Sequence, residues 1–128
     1  MIWYLDTSAF LKLITKEAES KPMRDWYSTH GPCWSSQLLL TEATRAGARL
    51  GLRQELVATA LDTVGLVLPS VTTYFAAARL PPPGLRSLDA LHLATAIEIG
   101  ADLEGMVVYD QRLRAAAEGA AILTVTPT

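Results

Sequence analysis

Five short apolar runs punctuate this chain, and helix-length segments separate them. Ile2 to Leu5, Val64 to Leu68, Met106 to Tyr109 and Ile122 to Val125 are short and rich in β-branched or aromatic side chains, which predicts strands. Cys33 to Ser35 reads as a further short strand or the approach to one. Helices are expected over 9–14, 20–27, 37–50, 53–62, 71–80, 88–99 and 111–118. A parallel crossover needs a covering helix, so this alternation predicts an α/β fold with a parallel sheet covered on both faces.

Local signals agree with that division. Asp6-Thr7-Ser8 are three consecutive residues that favour a helix N-cap, and Ser35 or Ser36 can open the helix whose apolar stripe is Leu39, Ala43, Ala46 and Leu50. Pro22 suits a first turn, and Gly51 is placed to end the helix before it. Leu88 to Ile99 is apolar almost all round, as in a helix buried against a sheet. Pro81-Pro82-Pro83-Gly84 is expected to be a stiff surface connection rather than a domain linker. The 128 residues suit one domain, 1–128, with neither an internal repeat nor a low-complexity segment.

Composition excludes several classes. Half of the residues are apolar and 19% are charged, so disorder is ruled out. Cys33 is alone, which leaves no internal disulfide and no cysteine zinc site and fits a reducing compartment. No run approaches the length of a membrane span, and the start lacks a leader pattern, so a cytoplasmic protein is expected. A formal charge of −2 argues against nucleic acid at first sight, since nucleic-acid binders are commonly basic. Setting four candidate ligand acids aside leaves nine acids against eleven Lys and Arg, which reverses the sign elsewhere. Arginine, the better fork for phosphate, outnumbers lysine eight to three.

Those four acids are Asp6, Glu42, Asp89 and Asp110. Asp6 and Asp110 are each the first polar residue after an apolar strand, where ligands bind in open α/β sheets. Asp89 lies in the first turn of an otherwise apolar helix, and Glu42 sits mid-helix beside a buried stripe. Like charges about 4 Å apart repel by roughly 4 kcal/mol at an effective dielectric near 20, so converging carboxylates need a cation. Oxygen donors without a Cys or His cluster select Mg²⁺ or Mn²⁺, most often used on phosphate esters.

Each residue also has a plain explanation. Asp6 and Asp110 can be simple N-caps, Asp89 can complement the helix dipole, and Glu42 can pair with Arg45 one turn on. Ser8 can bond a ligand carboxylate or cap the first helix. Arg45, Arg86 and Arg112 lie within three residues of an acid and can meet substrate phosphate or form salt bridges. His92 shares the face of Asp89 and can be a ligand or a base, although its apolar helix favours a packed, hydrogen-bonded ring. Cys33 and His92 lack any local signature of a nucleophilic pair. Trp3, Tyr4, Trp26, Tyr27 and Trp34 can stack on bases or fill the core.

Four blocks carry a family resemblance that spans essentially the whole chain. Residues 5–13, Leu-Asp-Thr-Ser-Ala-Phe-Leu-Lys-Leu, resemble the opening motif of PIN-domain ribonucleases, specifically of the VapC toxins of toxin–antitoxin pairs. Residues 35–45 resemble the second acidic block, 85–96 the third and most specific, and 107–113 the fourth. The resemblance maps Asp6, Glu42, Asp89 and Asp110 onto the family's acidic quartet, with Asp6 and Asp89 as the surest ligands. It implies a PIN-like three-layer sandwich with a parallel sheet of four or five strands, a homodimer, and a small antitoxin whose C-terminal arm occupies the active-site groove. Many relatives have Thr or Ser where this chain has Val108, so a polar contact near Asp110 is expected to be missing, leaving Asp110 to reach metal through water.

The function expected is therefore a Mg²⁺-dependent endoribonuclease toxin cutting structured RNA such as tRNA or rRNA, the substrate class resting on the resemblance. The competing expectation, supported by Val108, is a PIN-like module that binds RNA or protein without cutting. A phosphatase of the aspartyl-phosphate type would need a second Asp where Ser8 stands.

Overall fold

The computed structural model describes all 128 residues. Five parallel strands form one sheet in the order β3-β2-β1-β4-β5, with β1 at Ile2–Leu5, β2 at Trp34–Ser36, β3 at Gly65–Val67, β4 at Leu103–Val107 and β5 at Thr124–Val125. The helices are α1 (Thr7–Ile14), α2 (Ser20–His30), α3 (Leu38–Arg49), α4 (Gln54–Leu61), α5 (Val71–Ala78), α6 (Ser87–Ile99) and α7 (Gln111–Gly119). The expected α/β class and parallel sheet of four or five strands are what the chain adopts, with five strands.

The central strands are buried on both faces because side chains alternate across a strand. Leu5 and Val107 pack with Phe10, Ile14, Met23, Leu39, Val57 and Leu61 on one side. Tyr4 and Met106 pack with Leu93, Val108, Leu113 and Ala116 on the other. Ser35, wholly buried, donates from Oγ to the carbonyl of Leu5 at 2.7 Å and so ties β2 to β1 beyond the ladder. The residues from Ala90 to Ala96 are all buried, as the all-round apolar sequence of α6 predicted.

Helix ends follow their caps. Asp6 Oδ1 accepts from the Ala9 amide at 2.9 Å, so α1 starts at Thr7, two residues before the expected Ala9. Ser36 Oγ accepts from the Leu38 amide at 3.2 Å and opens α3, while Gly51 at φ 72° follows its end. Helix α2 runs to His30 rather than Tyr27, and its last turn stacks His30 on Trp26 at 4.3 Å between ring centres.

The fourth strand is the clearest shift. It spans Leu103–Val107 instead of 106–109, because Leu103 and Gly105 pair with Ile2 and Trp3 of β1. Gly105 has no side chain to signal a strand, and the position demands that. A Cβ there would lie 2.6 Å from the Leu123 carbonyl oxygen and 2.8 Å from the Trp3 ring. No helix is long and apolar enough to cross a membrane.

Candidate active site

The carboxyl ends of β1 and β4 and the amino ends of α1, α6 and α7 meet at one rim, as expected for ligand sites in open parallel sheets. Asp6 is the residue at which β1 stops, its amide donating to the Val107 carbonyl of β4 at 3.2 Å. Its side chain is 3% exposed. Besides capping α1, it accepts from Ser8 Oγ at 2.7 and 2.8 Å. Burial pushes its carboxyl up to about 6; the Ser8 and Ala9 bonds oppose that rise, while nearby Asp89 adds to it.

Asp110 caps α7 in the same way, Oδ1 accepting from the Leu113 amide at 2.9 Å. Its Oδ2 accepts from Arg86 Nη2 at 3.0 Å, and the Nε of that guanidinium donates to Asp89 Oδ2 at 3.1 Å. Arg86 thus bridges two candidate ligands, and both acids raise its own pKa, the Asp89 hydrogen bond most. For Asp110 capping and membership of the rim use different oxygens, Oδ1 for the cap and Oδ2 for Arg86.

Glu42, on the second turn of α3, projects to the same region and is 21% exposed at the side chain. Its partner is His92 of α6, whose Nε2 lies 2.6 Å from Oε1. Thr7 Oγ1 is 3.2 Å from the same nitrogen, and Tyr4 Oη is 2.7 Å from Nδ1. Ser8 and Arg86 thus connect Asp6, Asp110 and Asp89, while Glu42 is held separately by His92, which stands one turn after Asp89 on α6. Glu42 does not pair with Arg45.

Several expectations need adjusting. The quartet is not a closed cage, since no three His, Cys, Asp or Glu side chains converge to hold one ion. The donor set nonetheless fits Mg²⁺, which takes one or two carboxylates and keeps waters; Arg86 already marks the space between Asp89 and Asp110 as one that attracts a cation. Ser8 takes the first of its expected readings, bonding the Asp6 carboxylate, and its oxygen also accepts from the Tyr109 and Asp110 amides at 2.9 and 3.3 Å. Val108 is wholly buried among Tyr4, Leu93, Met106 and Leu113 and gives Asp110 no polar contact; the Asp110 carboxylate is held by the Leu113 amide and Arg86 instead. Arg45 and Arg112 are exposed and bond no carboxylate, and Arg112 lines an open, largely apolar groove of about 720 Å³ with Leu80, Pro82 and Leu85.

His92 is the packed, hydrogen-bonded histidine that its helix favoured. What sequence reasoning missed is its bond to Glu42 and the role of Tyr4 and Thr7 around it; the available signal was Tyr4 standing on β1 two residues before Asp6. Burial pushes the Cys33 thiol up to about 12, which leaves it inert. Trp3, Trp26 and Tyr27 pack against the core, and Trp3 meets Trp26 edge to face at 5.2 Å.

Comparison with known proteins agrees with this fold. Residues 3–119 match the PIN domain family. Ribonuclease VapC35 of Mycobacterium tuberculosis is 39% identical over 131 aligned positions, covering 97% of this chain and 96% of the relative. Ribonuclease VapC46 of the same organism is 37% identical, covering 98% and 97%. Among solved structures, Mycobacterium tuberculosis VapC20, described as a Sarcin-Ricin loop cleaving toxin, superposes with a TM-score of 0.78 at 17% identity, covering 98% and 99%. A toxin–antitoxin complex from Klebsiella pneumoniae gives 0.76 at 19% identity, covering 98% and 97%. Sequence blocks, sheet order and relatives converge, and this chain belongs to the PIN-domain family, within its VapC group.

Proposed function

We propose that this protein is a metal-dependent endoribonuclease, the toxin half of a toxin–antitoxin pair, hydrolysing phosphodiester bonds in structured RNA such as tRNA or rRNA. The observation that carries the reading is Asp6, a buried acid at the end of β1, on one rim with Asp89, Asp110 and Glu42. Two relatives above 35% identity bear the name ribonuclease, which supports the chemistry.

Asp6 and Asp89 would hold Mg²⁺ or Mn²⁺ directly, with Asp110 and Glu42 completing the anionic site. When bound, the ion supplies Lewis acidity toward the scissile phosphate. The chain does the rest. Ser8 fixes both oxygens of Asp6, and the cap bond at Leu113 fixes Asp110. Glu42, held at Oε1 by His92, keeps Oε2 to orient the attacking water and take its proton. Arg86, two-thirds exposed at the rim, turns from Asp89 and Asp110 to the substrate phosphate, and Arg45 and Arg112 extend the basic margin.

The partners that accompany this reading are a cognate antitoxin and a second copy of the chain. Exposed Leu68, Val71, Tyr74 and Phe75 around α5 support self-association, and light scattering on the purified protein checks it. The lone buried cysteine suits action in a reducing cytoplasm. The decisive experiment sequences RNA ends after controlled expression of wild type, Asp6→Ala and Asp89→Ala, paired with cleavage of purified RNA in Mg²⁺ and in chelator. New ends that appear only with wild type, and cleavage that stops with chelator, are the expected outcome. Equal ends from Asp6→Ala would sink the proposal.

A further inference from the structure

Glu42 has one bonding partner within the protein, and that partner is buried and itself held from behind. His92 is 1% exposed and lies between Glu42 Oε1 at its Nε2 and Tyr4 Oη at its Nδ1, 2.6 and 2.7 Å away. The 2.6 Å approach to a carboxylate oxygen makes Nε2–H the donor of that bond. At Nδ1 the ring meets the Tyr4 hydroxyl, whose pKa burial among β1, α6 and β4 raises, so the phenol is the donor there and Nε2 is left to donate to Glu42. The two bonds point the same way, from Tyr4 through the imidazole to Glu42, and such aligned bonds reinforce one another at low dielectric.

The placement has a further consequence. His92 stands three residues after Asp89 on α6, and Tyr4 two residues before Asp6 on β1. The elements that present Asp89 and Asp6 therefore also hold Glu42, which comes from α3 on the far side of a 50-residue separation.

We propose that Tyr4 and His92 are positioning residues that fix the orientation of Glu42 toward the metal and the attacking water. This rests on the reading of the rim as a nuclease site. The relay gives Glu42 a single rotamer and leaves Oε2 as its free oxygen. Without it, a partly exposed glutamate on a helix turn explores several rotamers, and the site loses a preorganised acceptor.

The test compares Tyr4→Phe, which keeps ring and volume, His92→Gln, which can still donate to Glu42, and His92→Phe, which cannot. Mn²⁺ affinity is read by calorimetry, and kcat and KM with a purified RNA substrate. Nitrogen NMR of the imidazoles, with His30→Gln for assignment, reads the tautomer. The expected results are the Nε2–H form in wild type, a loss of about 10–100-fold in kcat or Mn²⁺ affinity for His92→Phe with KM nearly unchanged, and partial rescue by His92→Gln. Tyr4→Phe should lose the fixed tautomer and show a smaller drop of the same kind. The Nδ1–H form in wild type, or Tyr4→Phe and His92→Gln both at wild-type affinity and kcat, would overturn the relay. Wild type that cuts no RNA sinks the nuclease reading instead, while tautomer and Mn²⁺ affinity still decide for or against the relay.

Discussion

The hydroxyl of Ser8 lies 2.7 and 2.8 Å from the two carboxylate oxygens of Asp6. The same oxygen accepts from the amides of Tyr109 and Asp110, so one small side chain joins the β1–α1 turn to the β4–α7 turn. Ser8→Ala would leave two backbone amides and a buried carboxylate short of a partner, at about 1–3 kcal/mol. Urea unfolding should register that loss, with RNA cleavage reduced alongside it. Ser8→Thr keeps the hydroxyl and should retain most of both. A stability change below about 0.5 kcal/mol for Ser8→Ala would show that the junction does not depend on it.

Asp6 also predicts a pH signature for the metal-free protein. Burial raises its folded pKa from the ordinary 3.8 to about 6, so the ionised form is the one that the fold disfavours. The penalty is absent below 3.8, grows between 3.8 and about 6, and is complete above that, where it amounts to about 3 kcal/mol. In chelator, Asp6→Asn should therefore be more stable than wild type at pH 7.5, and the difference should vanish near pH 4. Millimolar Mg²⁺ should shrink the gap at pH 7.5 by stabilising the wild type alone. A gap independent of pH would refute the assignment.

How much was readable in the sequence depended on whether the signal was local. Asp6 and Asp110 could be found because each caps the helix that follows its strand, a relation spanning three residues. The bond between Glu42 and His92 crosses 50 residues, and the bridge from Arg86 to Asp110 crosses 24, so neither leaves a spacing to read. Val108 was read through the resemblance as a missing polar contact, and the alternation of β4 continues through it and turns its apolar side chain into the core.

Gly105 explains why the start of β4 was hidden and supplies a stability test. Glu104 and Gly105 look unlike a buried strand, yet a Cβ at 105 would strike the backbone oxygen of Leu123 on the β5 side at 2.6 Å. Backbone cannot swing aside as a flexible side-chain end can, so Gly105→Ala should cost about 1–3 kcal/mol. Gly84→Ala, with nothing within 4 Å of the new methyl, is the matched control and should stay within about 0.5 kcal/mol. Comparable melting temperatures for the two variants would contradict the close packing of β4 on β5.

Arg86 is the protein's own cation at the rim, and its removal separates two effects. Its side chain is 66% exposed, so losing the bonds to Asp89 and Asp110 should change stability by less than about 1 kcal/mol. A divalent ion drawn to the same carboxylates must share their field with the guanidinium. At about 5 Å and water-like screening, that repulsion is worth about 1–2 kcal/mol, or roughly tenfold in affinity. Arg86→Gln should accordingly bind Mn²⁺ more tightly while its KM for RNA rises, because the proposed phosphate contact is removed. Calorimetry and steady-state cleavage on the same preparation read both. Weaker Mn²⁺ binding by Arg86→Gln would mean that the guanidinium holds Asp89 and Asp110 in register for the ion instead of competing with it.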